Sequence, residues 1–285
     1  MNIKELLSKT DNFFNKVGLD SPRLDAEVLL ADLLDMERIK LYVNFDYPLS
    51  SQELKEYRER VKQRAKRIPV AYITGKKEFM SMKFYVEPGV LIPRPETELL
   101  VEKVIDFCKE NKLKSANIVD IGTGSGAVAI SLAKYVKDAC TVGVDISQKS
   151  VEVARKNLAE HSLEERVSIV RGSLLEQFIK RDINNVDIIV SNPPYIKDED
   201  MASLPPEVKK EPTSALAGGK EGLDYYKKII PQAEKVLKKD GHIFFEIGDG
   251  QAEDVLSFFG ERWEEEKMYK DYSGRERIIS ARFVG

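Results

Sequence analysis

Histidine and cysteine are scarce in this chain of 285 residues, with two of each. His161 and His242 cannot build a multi-histidine metal site, and they make a histidine-centred triad a poor expectation, so no metal is expected. Cys108 and Cys140 stand far apart, without CxxC or zinc-type spacing. That argues against a disulfide scaffold and for a reduced, cytoplasmic setting. Apolar runs of the roughly 18–20 residues needed to span a bilayer are missing. The N-terminal stretch MNIKELLSKTDNFFNKVG is charged throughout and has no signal-peptide core, so no membrane association is expected. An excess of one charge is also absent: 45 Lys and Arg against 48 Asp and Glu leave a net −3. This balance argues against holding bare nucleic acid by bulk charge, and no direct nucleic-acid binding is expected. What remains is a globular composition, 42% hydrophobic and 33% charged, which suits one large or two unequal domains. A monomer is expected.

Residues 1–68 read as helices without strands, a small all-α domain. Arg23 to Leu34 carries apolar residues at helical spacing behind a Ser21-Pro22 start signal. Ser50-Ser51-Gln52-Glu53 reads as a capping box opening a second clear helix through Arg67. From Lys55 to Arg67 that helix holds seven Lys or Arg and two Glu, a docking surface or, more commonly, a solvated charged face. Residues 69–95 change character: 70–75 and 82–86 are rich in β-formers between Gly and Pro, which predicts a β-hairpin linker. The segment 91–98, Leu-Ile-Pro-Arg-Pro-Glu-Thr-Glu, opens a helix to about residue 111, with acids in its first turn. Residues 96–285 then alternate. Strands are expected at 117–121, 141–145, 167–171, 186–191, 242–247, 263–270 and 276–284, with helices at 127–136, 150–161 and 225–238. Such alternation predicts a mostly parallel sheet covered on both faces and wound in the Rossmann sense.

Asp120-Ile121-Gly122-Thr123-Gly124-Ser125-Gly126 falls between the first expected strand and its helix. Glycines there allow a tight turn and close approach of a ligand to backbone N–H groups. Asp145, ending the second strand, can accept hydrogen bonds from ribose hydroxyls. Gly122, Gly124 and Ala127 also satisfy the looser dinucleotide fingerprint, so these features imply a nucleoside cofactor and leave NAD and S-adenosylmethionine both open. Asn192-Pro193-Pro194-Tyr195 follows the fourth strand, at the carboxyl edge where ligands bind in this fold. Pro193 forces Asn192 into an extended backbone. The Asn192 side-chain oxygen and a neighbouring carbonyl can then accept both protons of one planar NH2 group, aiming its lone pair outward. Tyr195 offers a flat ring for a planar substrate.

NPPY after the fourth strand, with DxGxGxG after the first, resembles class I S-adenosylmethionine-dependent methyltransferases that modify nitrogens of planar systems. Further segments resemble the peptide chain release factor glutamine methyltransferases, the HemK/PrmC family. These are residues 23–27 (RLDAE), 69–75 (PVAYITG), 91–98 (LIPRPETE), 191–196 (SNPPYI), Glu211-Pro212 with Ala215-Leu216, Glu246-Ile247-Gly248, and Lys270-Asp271 with Gly274-Arg275. The resemblance covers nearly the whole chain. It implies a Rossmann-like class I methyltransferase fold over 96–285, a seven-stranded mostly parallel sheet with an antiparallel C-terminal strand. A helical substrate-recognition domain (1–68) and a hairpin linker (69–95) would precede it.

The implied activity is methylation of the side-chain amide nitrogen of the glutamine in the Gly-Gly-Gln motif of class I peptide chain release factors. S-adenosylmethionine would be the donor and S-adenosyl-L-homocysteine the product. Carried over, Gly122, Thr123, Gly124, Ser125 and Gly126 would line the methionine part, Asp145 the ribose, and Leu174 the adenine. Asn192 would hold cofactor and glutamine, with Pro193, Pro194 and Tyr195 shaping the glutamine pocket and Asn192, Pro193 and Tyr195 forming the catalytic group. Gly172-Ser173-Leu174-Leu175 departs from the Asp plus bulky residue usual at that point, which puts adenine recognition at Ser173 in question. A DNA adenine N-methyltransferase is the alternative, since [DN]PPY serves both substrates, but it would want a basic target-recognition domain. An NAD-dependent oxidoreductase leaves NPPY unexplained. A non-catalytic ribosome-associated module is suggested by the 55–67 helix alone.

Overall fold

A computed structural model describes every residue except Lys114. The chain forms two compact units, one of Met1–Lys76 with Pro205–Lys210 and one of Lys77–Leu204 with Glu211–Gly285.

The first unit is helical: α1 (Ile3–Val17), α2 (Pro22–Leu33), α3 (Arg38–Val43), α4 (Ser51–Ala65) and α5 (Val70–Thr74). Its core gathers Leu7, Phe14, Leu29, Leu30, Leu41 and Tyr57. The capping box at α4 is present: Ser50 Oγ accepts from the Glu53 N–H, and Glu53 Oε2 accepts from the Ser50 N–H. The basic residues of α4 turn partly inward. Arg64 is 6% exposed and its Nε donates to Asp25 at 2.7 Å. Its Nη1 reaches Glu207 at 3.0 Å, and Arg67 reaches the same carboxylate at 3.2 Å. Arg60 pairs with Asp32 at 2.6 Å. Three of the cations on this stretch therefore hold the unit together and do not present a uniform charged face. The expectation of an extended 70–75 is corrected: these residues form α5. Its Thr74 hydroxyl bonds back to the Val70 carbonyl, Gly75 ends it at φ +70°, and Val70 and Ile73 pack on the helical core. Tertiary packing overrides β-propensity here.

The hairpin pairs β1 (Lys76–Phe79), just after α5, with β2 (Met82–Tyr85), which falls within the expected 82–86. Then follow α6 (Pro95–Glu110), β3 (Asn117–Ile121), α7 (Ala127–Tyr135), β4 (Cys140–Asp145), α8 (Gln148–His161), β5 (Val167–Arg171), α9 (Glu176–Lys180) and β6 (Val186–Ser191). The chain ends with α10 (Asp224–Ala233), β7 (Leu237–Glu246), α11 (Ala252–Leu256), β8 (Trp263–Lys270) and β9 (Glu276–Phe283). Helix α10 ends at Ala233, short of 238, with Pro231 inside its last turn and the Glu234 N–H bonded to the Ile230 carbonyl. Strand β7 begins correspondingly early, pairing Leu237 with Val186.

The seven strands are ordered β5-β4-β3-β6-β7-β9-β8. All neighbours are parallel up to β7, and β9 runs antiparallel to both β7 and β8. Successive strand residues feed opposite cores. Ile118, Val190 and Phe244 pack with α6, α7 and α8, whereas Val119, Ile189 and Phe245 pack with α9, α10 and α11. The order reverses between β3 and β6, so a crevice opens beyond their carboxyl ends. No helix among the described residues is long and apolar enough to cross a membrane.

Candidate active site

The crevice is a cavity of about 330 Å³, within the usual range for small-ligand sites. Its floor is the β3–α7 loop. Gly122, Gly124 and Gly126 all adopt positive φ, at +75°, +56° and +83°. A Cβ at Gly122 would meet nothing within 4 Å, so the backbone lies open to whatever fills the cavity. Asp120 holds the loop from behind: its Oδ2 accepts from the Thr123 hydroxyl at 2.6 Å and from the Ala129 N–H at 3.2 Å. Burial pushes the Asp120 carboxyl up to about 7. Asn157 on α8 pins the same loop to the hairpin, donating to the carbonyls of Ser125 (2.8 Å) and Tyr85 (3.0 Å).

Asp145 ends β4 at the cavity wall. Its Oδ2 accepts from the Gly124 N–H at 2.9 Å and its Oδ1 from the Ser147 N–H at 2.8 Å. Each oxygen keeps lone-pair capacity for a further donor, which is what a pair of ribose hydroxyls would use. Burial raises its pKa above the usual carboxylate value against these backbone donors. Ser173 and Leu174 line the same cavity, Leu174 at φ +47°.

Asn192, Pro193 and Pro194 border this cavity and also a smaller one of about 40 Å³, whose wall includes Tyr195. The Asn192 Nδ2 donates to the Thr97 hydroxyl at 2.9 Å, which leaves Oδ1 as the end free to serve a ligand. The NPPY backbone is clamped from the far side. Gln251 Nε2 donates to the Tyr195 carbonyl at 3.1 Å. A Cβ on Gly222, at φ +74°, would fall 2.3 Å from that carbonyl oxygen, so only glycine allows the approach. The Ile196 N–H donates to the Leu216 carbonyl at 3.0 Å and Ile196 O accepts from Gly218 N at 2.8 Å, laying residues 212–217 over the site. Arg94 and the Ile92 N–H both bind the buried Glu211 carboxylate, at 2.5 and 3.0 Å, and tie that strap to the segment before α6.

Of the residues singled out from sequence, Gly122, Thr123, Gly124, Ser125, Asp145, Leu174, Asn192, Pro193 and Pro194 share the large cavity. Two stand apart. Gly126 is absent from its lining: its N–H is taken by the Thr123 carbonyl, and its Cα faces Ile130 and Ala154, where it lets α7 approach α8. Tyr195 lines the small cavity and not the large one, with its hydroxyl 3.3 Å from Glu246 Oε1. Thr97, Glu211, Gly222 and Gln251 went unrecognised as site residues. Thr97 and Glu211 lie within motifs already quoted, but nothing in one sequence shows what their side chains touch.

Residues 5–75 match the PrmC N-terminal domain and residues 95–207 the methyltransferase small domain. A release factor glutamine methyltransferase of Clostridium acetobutylicum is 40% identical over 99% of this chain and 98% of its own length. One from Geobacter sulfurreducens is 42% identical over 90% of this chain and 88% of its own. Among solved structures, the T. Thermophilus 16S rRNA N2 methyltransferase RsmC, in complex with AdoMet and guanosine, aligns over 73% of this chain and 49% of that one. Its TM-score of 0.52 at 19% identity shows a shared fold.

Proposed function

From the premise that this chain belongs to the release factor glutamine methyltransferase family, we propose that it methylates the side-chain amide nitrogen of the Gly-Gly-Gln glutamine in class I peptide chain release factors, with S-adenosylmethionine as donor. The residues present fit that donor: an open glycine backbone at Gly122, a carboxylate with spare acceptor capacity at Asp145, and apolar Leu174 share one cavity. When bound, the donor supplies a methyl group on an electrophilic sulfonium.

The observation that carries the reading is the polarity of Asn192. With Nδ2 spent on Thr97, Oδ1 is left at the wall common to both cavities. An amide nitrogen is a weak nucleophile because its lone pair is delocalised. Asn192 Oδ1 and a backbone carbonyl of the proline pair accept its two protons, fix the NH2 plane, and leave the lone pair pointing at the methyl. The chain thereby contributes orientation and a fixed electrostatic environment. The proton leaves after transfer, when the nitrogen has become more acidic.

The helical unit supplies the release factor docking surface in this reading. Helix α3 leaves Ile39, Tyr42 and Val43 exposed, at 67%, 45% and 79%. Incubation with a release factor and labelled S-adenosylmethionine, followed by peptide mass spectrometry, should place the label on the Gly-Gly-Gln glutamine. Label on duplex DNA adenine, with none on the release factor, would overturn the proposal.

A further inference from the structure

The small cavity beside the NPPY turn is lined by Leu91, Arg94, Ala215 and Leu216 as well as by the turn itself. Among the described residues of that lining Arg94 alone is charged, and Arg94 and Asn192 border the large cavity too. Arg94 is the N-cap of α6, and its side chain reaches across to the strap, where Nη2 donates to Glu211 Oε1 at 2.5 Å. Glu211 is 5% exposed, and its Oε2 accepts from the Ile92 N–H at 3.0 Å, so both carboxylate oxygens are held. A guanidinium is a rigid planar fork of five N–H donors. The bond to Glu211 uses one of them, and the side chain stays 27% exposed. The other side-chain donors at this wall are committed elsewhere. Asn192 Nδ2 donates to the Thr97 hydroxyl at 2.9 Å, and the Tyr195 hydroxyl donates to Glu246 at 3.3 Å. Pro193 and Pro194, between them, have no N–H to offer.

Resting on the methyl-transfer reading above, we propose that Arg94 is a substrate-binding residue that donates to the carbonyl oxygen of the substrate glutamine amide and so fixes which end of that amide meets the methyl donor. A primary amide carries two N–H donors at one end and an acceptor at the other. In the reading above, Asn192 Oδ1 and a prolyl carbonyl take the two N–H protons, and neither can serve the oxygen. A carbonyl oxygen taken out of water needs a new donor, and the free edge of the Arg94 fork is the side-chain donor left at this wall. The two ends of an amide are nearly identical in shape, so only their partners tell nitrogen from oxygen. A guanidinium cannot accept. A reversed amide would therefore set NH2 against Arg94 and oxygen against Asn192 Oδ1, unpaired at both ends. Glu211 anchors the fork from the strap and balances its charge. Attack by nitrogen draws electron density away from the amide oxygen, so the bond from Arg94 is no stronger in the transition state than in the bound substrate. Its contribution falls on binding and selection, whereas that of Asn192 falls on the chemical step.

The test uses the full-length chain and an intact release factor. Arg94→Lys keeps a cation for Glu211 and loses the fork. It should raise KM for the release factor about 10- to 100-fold, the scale of a hydrogen bond to a charged group, and change kcat far less. Calorimetry in the presence of S-adenosyl-L-homocysteine supplies a readout independent of turnover. A release factor with methionine in place of the Gly-Gly-Gln glutamine has a side chain of similar length with no carbonyl oxygen for Arg94. That exchange should weaken binding strongly to the unaltered chain and much less to Arg94→Lys. A residue that only held the strap would lower both affinities alike. If Arg94→Lys does not fold, Arg94→Met/Glu211→Gln, which removes both charges, should give the same pattern. An unchanged KM, or an equal loss on the methionine exchange in both chains, would overturn the assignment and leave methylation by the unaltered chain standing. So would a loss confined to S-adenosyl-L-homocysteine affinity, which would put the guanidinium on the cofactor's carboxylate. An unaltered chain that methylates no release factor would overturn the functional reading, and this assignment with it.

Discussion

The buried acids of the molecule fall into two kinds, those paired with a guanidinium and those without an ion pair. In the helical unit Arg64 is buried between two carboxylates, Asp25 at 2.7 Å and Glu207 at 3.0 Å, and Arg67 shares the second. At the carboxyl edge of the sheet, Asp120 and Glu246 are as deeply buried, at 2% and 0% exposure. Neither makes an ion pair among the described residues. Both are instead lifted to about 7 by burial. Burying a charge carries a desolvation cost that only a well-placed partner offsets. The helical unit meets that cost with guanidinium groups and gains fixed geometry. At the sheet edge Glu211 is likewise paired, with Arg94, but Asp120 faces a hydroxyl and a backbone N–H and Glu246 a hydroxyl, so their charge remains adjustable. Unpaired buried acids mark the side of the molecule where chemistry is expected.

Several substitutions would sharpen or break this contrast. The largest effect should come from Arg64→Met, which strands Asp25 while Glu207 keeps Arg67. Loss of one member of a buried pair costs about 3–5 kcal/mol, read as a lower midpoint in urea unfolding. The Asp25→Leu/Arg64→Met double variant should recover most of that loss, and failure to recover would mean that the pair does more than balance charge. Asn192→Ala comes next: it should leave the fold intact and reduce turnover by about 10²–10³-fold, the usual effect of removing one oriented transition-state partner. Near-normal turnover with saturating release factor would reduce Asn192 to a turn-forming residue. Asp145→Ala should weaken S-adenosylmethionine binding by about 1.5–3 kcal/mol, roughly ten- to a hundredfold by calorimetry.

A smaller effect concerns pH. Because Asp120 titrates at about 7 when folded and near 3.8 when free, the folded chain holds a proton that the unfolded chain has already released between those values. Stability attributable to this group therefore falls as pH rises through that window and levels off above it. Asp120→Asn should flatten that slope in denaturation midpoints measured from pH 4 to 8. An unchanged slope would mean that Asp120 is no more protonated in the fold than outside it. The smallest effect should be at the surface of the helical unit. Val43→Asp on α3 should raise KM for the release factor at least about fivefold, the scale of a modest interface contact, and leave S-adenosylmethionine affinity unchanged.

Patterns that depend on near neighbours in the chain were legible from the start. Period-two and buried-run strands, the capping box at Ser50, the glycine loop after β3 and the proline-fixed Asn192 all follow from local backbone geometry, which is written in adjacent residues. Segment 70–75 was misread because its β-formers serve equally well as a helical turn packed on Leu29 and Leu30's core. At Gly126 spacing alone does not show that a Cβ would meet Ile130 and Ala154, the packing of α7 against α8.

By itself the sequence determined the strand order along the chain, the places where the chain turns, and the residue types available at the carboxyl edge of the sheet. Which of those residues meet was decided only by tertiary structure. Thr97 lies in the first turn of α6, Asn192 and Tyr195 follow β6 and Glu246 ends β7, and only tertiary packing brings Asn192 to Thr97 and Tyr195 to Glu246. The contact of Asn192 with Thr97, the burial of Glu246 and the pairing of Arg64 with Glu207 are long-range outcomes. They depend on distance and burial in three dimensions, which sequence separation does not encode.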